Sequence, residues 1–177
     1  MNLIETEIND RGYTIREIKL ADAERYQSLL LHKDVKPFIP EQLLPNTIFD
    51  AIRIVTSLKA LSATNTGAYW AICNEDNKLI GSAGFESWSQ FHKRLEIAFE
   101  LHPDYQGQGI MTQALTKIIA FGFENMQAER IEAFTLTHNK PSMHLLKRMG
   151  FEHEATLKKY RMFNKKISDI HLFALTK

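Results

Sequence analysis

Apolar and polar positions alternate in some stretches of the chain and recur every three or four residues in others, and the order of the two rhythms predicts a sheet flanked by helices. Tyr13 to Glu17 reads as a first strand, and after Ala21-Asp22 the residues Ala23, Tyr26, Leu29 and Leu30 fall at helical spacing. Lys36 to Pro45 holds three of the five prolines, which bar regular helix. A loop is predicted there, before Asn46-Thr47 cap a second helix with Ile48, Ile52, Val55 and Leu58 inward. Tyr69 to Cys73 and Leu79 to Phe85 read as strands joined by the Asn74-Glu75-Asp76-Asn77-Lys78 turn, the start of an antiparallel sheet. From Leu95 to Leu101, Leu95, Ile97, Phe99 and Leu101 share one face, and Glu96, Ala98 and Glu100 share the other.

Ile110, Met111, Ala114, Leu115, Ile118 and Ile119 line one side of a third helix, and Ile131 to Leu136 reads as a strand. Pro141 suits the first turn of a fourth helix carrying Leu145, Leu146 and Met149, which Gly150 terminates. Two last strands, near Glu152 to Tyr160 and Ile167 to Leu175, are joined at Asn164-Lys165-Lys166. The expected class is α/β, or α+β by some schemes: a single domain over residues 1–177, with a mixed, mostly antiparallel sheet of six to seven strands and about four helices. No repeat, linker or low-complexity tract argues for a second domain.

Composition narrows the partners. With 22 Lys+Arg against 21 Asp+Glu in 177 residues, the net charge of +1 carries no broad basic surface, so nucleic acid is not an expected partner. The single Cys73 excludes an internal disulfide and, beside Trp70-Ala71-Ile72, reads as a core thiol. The N-terminus lacks a basic start with a long apolar run, and no apolar stretch approaches about 20 residues. The expectation is a cytoplasmic protein with no membrane partner, and whether it forms a homodimer is left open.

The most informative segment is His102-Pro103-Asp104-Tyr105-Gln106-Gly107-Gln108-Gly109-Ile110-Met111, which joins the alternating strand to the third helix through two glycines. Gly107 and Gly109 permit backbone conformations that expose successive N–H groups, and the helix adds its own unpaired N–H groups and positive dipole end. Pyrophosphate suits that turn. A Walker-type loop would need Lys-Ser/Thr after Gly109 and finds Ile110; a dinucleotide fingerprint would need glycine at Thr112.

Gln106-x-x-Gly109 opening a helix, then Asn139-x-x-Ser142 and Leu145-Leu146-x-x-Met149-Gly150-Phe151, resembles the GNAT acyl-CoA N-acetyltransferases over most of the chain. Trp70-Ala71-Ile72, Leu79-Ile80-Gly81, Glu96-Ile97 and the Phe163-Asn164 turn with Asp169 resemble the Rim-type ribosomal-protein N-acetyltransferase branch. The resemblance implies acetyl-CoA as cosubstrate, held in a cleft where two neighbouring parallel strands splay apart. Its pantetheine arm would run along the backbone of Phe99, Glu100 and Leu101, and its pyrophosphate would meet amides of Gln106, Gly107, Gln108, Gly109, Ile110, Met111 and Thr112. Asn139 and Ser142 would approach the pantetheine and the thioester sulfur; Asn139 is equally suited to cap its helix. Relatives usually have Gly or Ala where Met111 stands, a side chain able to turn away from the loop.

An amine attacks a thioester only when neutral, so a base must take its proton and a donor must offset charge on the carbonyl oxygen. Glu96 is the first candidate base and Glu100, on the same face, the second; the competing reading of Glu96 is a carboxylate paired with a nearby Lys or Arg. A backbone N–H near Leu101 is the candidate oxyanion donor. Many relatives place a tyrosine acid where this chain has Leu146, which leaves Ser142 as the candidate acid. Some Rim-like enzymes carry a carboxylate where Arg161 stands, so Arg161 is a candidate for binding an acidic acceptor. His102 and His138 read as structural, and the seven histidines show no metal-ligand spacing. Phe85, Trp88 and Phe91 are candidate acceptor-pocket aromatics or packing residues, and the predicted loop Ser87 to Arg94 is the candidate specificity segment. The leading reading is acetyl transfer to an amine acceptor, a protein N-terminus or a small amine. Alternatives are a non-catalytic CoA-sensing module, favoured by the absent tyrosine, and an aminoglycoside or polyamine acetyltransferase with an acidic pocket at Glu86, Glu96 and Glu100.

Overall fold

A computed structural model describes residues 1–9, 11–163 and 165–177. The strands are β1 (Thr6–Glu7), β2 (Thr14–Glu17), β3 (Ala68–Cys73), β4 (Leu79–Ser89), β5 (Arg94–Leu101), β6 (Arg130–Leu136), β7 (Glu152–Phe163) and β8 (Lys166–Thr176). The α-helices are α1 (Ala23–Leu31), α2 (Ile48–Ala63), α3 (Ile110–Glu124) and α4 (Lys140–Arg148). The eight strands form one sheet in the order β1-β2-β3-β4-β5-β6-β8-β7, with every pairing antiparallel except β5 with β6. The α/β architecture with a mixed, mostly antiparallel sheet and four helices is as expected, with one strand more: the additional one is the two-residue β1, too short to show a period. β4 runs on to Ser89, so most of the loop expected from Ser87 to Arg94 is strand and a short turn. The turn residue Asn164 lies outside the described residues.

Alternation in β3 divides the interior. Trp70 and Ile72 face the larger core, which α3 covers with Ile110, Met111, Leu115 and Ile118, while Ala71 and Cys73 face a second core under α1 and α2. Buried on both faces, β3 reads as an unbroken apolar run. The same alternation in β5 sends Leu95, Ile97 and Leu101 to the α3 side and leaves Glu96, Ala98 and Glu100 on the α1/α2 side. Cys73 is fully buried, and burial pushes its thiol up to about 11, consistent with an inert core residue.

Helix α1 is anchored to the sheet by charge. The Arg16 guanidinium on β2 donates to both Asp22 oxygens at 2.8 Å, and Asp22 also accepts the Lys19 N–H at 2.8 Å at the entrance to α1. Both side chains are about nine-tenths buried, at 8% exposure each. Asp22→Ala would strand the guanidinium; a loss of about 3–5 kcal/mol is expected, read as a lower urea midpoint with an unchanged slope.

Candidate active site

β5 and β6 pair at three positions only: Arg94 with Arg130, Leu95 with Ile131, and Glu96 with Glu132. Beyond Glu96 they part, β5 following β4 to Leu101 and β6 following β8 to Leu136. The His102 N–H donates to Ile80 C=O on the β4 side at 2.8 Å. Backbone alternation therefore turns the N–H and C=O groups of Leu101, Phe99 and Ile97 toward the gap. The register of β4 on β5 shifts between Phe85 and Ser87, making Glu86 the extra residue of a β-bulge opposite Glu96 and Ile97. A bulge bends and twists its strand, and this one sits at the level where β5 leaves β6.

The glycine turn closes one end of the gap. Gly107 and Gly109 have φ of +71° and +77°, and a Cβ at either would meet nothing within 4 Å, so conformation rather than space calls for glycine. The first α3 bond runs from Gln113 N–H to Gly109 C=O, and among the described residues the six N–H groups from Gly107 to Thr112 have no acceptor. Six donors beside a helix N-terminus fit a pyrophosphate. Met111 turns away from the turn into the larger core, at 7% exposure. The Gln106 side chain donates to Leu101 C=O at 3.0 Å, tying turn to strand. Asn139 caps α4, its Oδ1 accepting the Ser142 N–H at 3.3 Å, and Ser142 lines the same cleft, whose volume is about 820 Å³.

The other candidate groups occupy the α1/α2 side. Arg161 donates to Glu96 Oε1 at 2.7 Å and lies over the Phe134 ring at 4.8 Å, so Glu96 is a paired carboxylate and Arg161 is already engaged. Glu100 lies on the cleft floor, ringed by protein yet touched by solvent through the opening. It accepts from the hydroxyls of Tyr26 at 3.1 Å, Tyr69 at 3.3 Å and Ser82. Burial pushes its carboxyl up to about 7, with Glu86 adding to the rise and the three hydrogen bonds opposing it. Glu86, also open to the cleft, is raised by burial and by Glu96, with Arg161 opposing.

Leu146, where many relatives have tyrosine, is a core residue at 1% exposure. His102 caps a short turn, its Nδ1 accepting the Asp104 N–H, and His138 packs against Phe38. Phe85 is buried in the larger core, Trp88 packs on it and Phe91 stands 91% exposed; none of the three lines the cleft, whereas Ser87 does. The sequence reading did not single out Tyr26, Tyr69 or Ser82 for the site, because only the fold brings residues from three elements to one carboxylate. Among the described residues no helix is long and apolar enough to cross a membrane.

Residues 13–152 match the family model described as an acetyltransferase (GNAT) domain. The chain belongs to the GNAT acetyltransferase family. As a GNAT protein it is an acetyl-CoA-dependent N-acetyltransferase. It is 30% identical to the uncharacterized N-acetyltransferase YoaA of Bacillus subtilis (strain 168), over 92% of each chain. It is 34% identical to the [ribosomal protein uS5]-alanine N-acetyltransferase of Escherichia coli (strain K12), over 61% of this chain and 57% of that one. In fold it matches the ribosomal-protein-S5-alanine acetyltransferase of Vibrio fischeri, with a TM-score of 0.87, 24% identity, and 98% of this chain and 96% of that one covered. It also matches RimL, a ribosomal L7/L12 alpha-N-protein acetyltransferase solved with coenzyme A, with a TM-score of 0.88, 18% identity and 98% of both chains covered.

The left-handed φ at Gly109 supplies a test. Gly109→Val places a β-branched residue there at a strain of roughly 1–2 kcal/mol, so CoA affinity measured by calorimetry is expected to fall about 5- to 30-fold.

Proposed function

We propose that this GNAT enzyme acetylates the α-amine of a protein N-terminus or a small primary amine by direct attack, with Glu100 as the base. The observation that carries the reading is the position of Glu100: on the strand that borders the gap, on the face open to an acceptor, with a carboxyl near neutrality. A base is most effective when its pKa lies near the working pH, and an N-terminal amine titrates at about 8, close above it. Glu96 fits the role less well, since its Oε1 is already engaged by the Arg161 guanidinium at 2.7 Å.

Acetyl-CoA supplies the activated carbonyl as a thioester. Backbone N–H groups from Gly107 to Thr112 would hold its diphosphate, and the gap-facing groups of Phe99 and Leu101 would orient the pantetheine arm. Glu100 takes the proton from the acceptor's ammonium, leaving a neutral nitrogen to form the N–C bond. The Leu101 N–H offsets charge on the carbonyl oxygen. Ser142 offers a hydroxyl to the sulfur as the C–S bond breaks, and the proton the nitrogen then sheds balances the departing thiolate. Ammonium and thioester thus yield amide, thiol and one proton. The relatives that carry ribosomal-protein N-acetyltransferase names support a protein α-amine as acceptor.

A second reading, transfer to a polyamine or aminoglycoside, is favoured by the shared opening of Glu86, Glu96 and Glu100 into one cleft. A panel of Ala- and Ser-starting peptides, a diamine and an aminoglycoside, scored by acceptor-dependent thiol release, separates the two. Peptide turnover is expected, with kcat/KM falling as pH drops through about 7 because Glu100 must be ionised. Glu100→Gln is expected to lower kcat by roughly 10²-fold or more with CoA affinity unchanged; full turnover in that variant would return the base role to Glu96.

A further inference from the structure

Glu100 is held from three elements besides its own strand. Tyr26 on α1 donates to Oε1 at 3.1 Å; Tyr69 on β3 lies 3.3 Å from Oε1 and 3.4 Å from Oε2; Ser82 on β4 donates to Oε1. Oε1 is therefore crowded with donors, and Oε2 keeps only the long Tyr69 contact. Both tyrosines are buried, at 4% and 2% exposure, and among the described residues no Lys, Arg or His pairs with Glu100. The carboxylate sits among neutral hydroxyls rather than opposite a cation, unlike Glu96 four residues earlier.

We propose that Tyr26 and Tyr69 are positioning residues for acetyl transfer: with Ser82 they lock the Oε1 of Glu100 and present Oε2 as the atom that takes the acceptor's proton. This rests on the reading of Glu100 as the base. The polar and charged groups facing it are Tyr26 from α1, Tyr69 from β3, Ser82 and Glu86 from β4, and Glu96 along β5. Burial and the negative charge of Glu86 work against ionisation, and the three hydroxyls work for it. Burial first, and then Glu100 itself, holds both phenols well above their usual range, so each stays a donor wherever the enzyme is assayed. Without one of these donors the carboxyl would hold its proton to higher pH. Tyr26 has a second effect. It sits one turn beyond the Arg16–Asp22 anchor, so the seating of α1 on the sheet is registered directly at the base.

The experiment compares the full-length wild type with Tyr26→Phe, Tyr69→Phe, Ser82→Ala and Glu100→Gln. kcat/KM for an Ala-starting peptide is followed from about pH 5.5 to about pH 9.5, with CoA affinity measured alongside. In the Phe variants the acid limb is expected at higher pH, with activity roughly fivefold down near pH 6.5, convergence on wild type near pH 9 and unchanged CoA affinity. A uniform loss with the limb unmoved would overturn the proposal and leave the tyrosines as packing residues. Ser82→Ala gives the same readout if one Phe variant does not fold. Glu100→Gln separates the two layers. Wild-type activity and limb in that variant would remove the base and the clamp together; an inactive Glu100→Gln beside Phe variants with unmoved limbs would remove the clamp alone.

Discussion

Three backbone pairs between β5 and β6, and then none, are the constraint on which the rest of the structure depends. A parallel pair inside a sheet normally continues along its length, because buried N–H and C=O groups left without partners are costly. Here each strand keeps its other neighbour and loses this one, so the gap is lined by main-chain donors and acceptors. The bulge at Glu86 lies at the level of the parting, and its added twist gives a local cause for β5 to bend away. The bulge residue Glu86 itself lines the cleft at that level.

The cleft has two chemically different sides because β5 has two faces. Toward α3 the walls are apolar up to the glycine turn, where main-chain N–H groups gather for an anion. Toward α1 and α2 stand three carboxylates in unlike surroundings. Glu96 is neutralised by Arg161, Glu86 is open beside it, and Glu100 is enclosed among hydroxyls. Burying a carboxylate without a counter-ion costs stability unless hydrogen bonds compensate, and such an arrangement is characteristic of functional sites. Neighbouring residues of one type therefore differ in their surroundings through the fold alone.

Much of this was legible in the chain. Period-two and helical spacing located seven of the eight strands and all four helices, and the capping residues Thr47 and Asn139 act as such. Alternation in β5 correctly set Glu96 and Glu100 on one face, and Met111 turns inward as anticipated. What could not be read was the set of contacts across long sequence separations. Arg161 meets Glu96 from 65 residues away and Tyr26 meets Glu100 from 74. No local pattern encodes either contact, and a one-residue bulge leaves no periodic trace, so the unlike surroundings of Glu96 and Glu100 emerged only from the fold. Of the two readings of the aromatic cluster, Phe85 and Trp88 take the packing one, and hydrophobicity alone does not tell a core ring from a cleft ring.

The central claim is that the parted strands and the glycine turn form one seat for the cosubstrate through main-chain N–H groups. Amide hydrogen exchange with and without saturating CoA tests it most directly. Added protection is expected at Gly107 to Thr112 and at Phe99 and Leu101, with the buried strand β3 unchanged. Saturated binding with exchange at those amides unaltered would contradict the account.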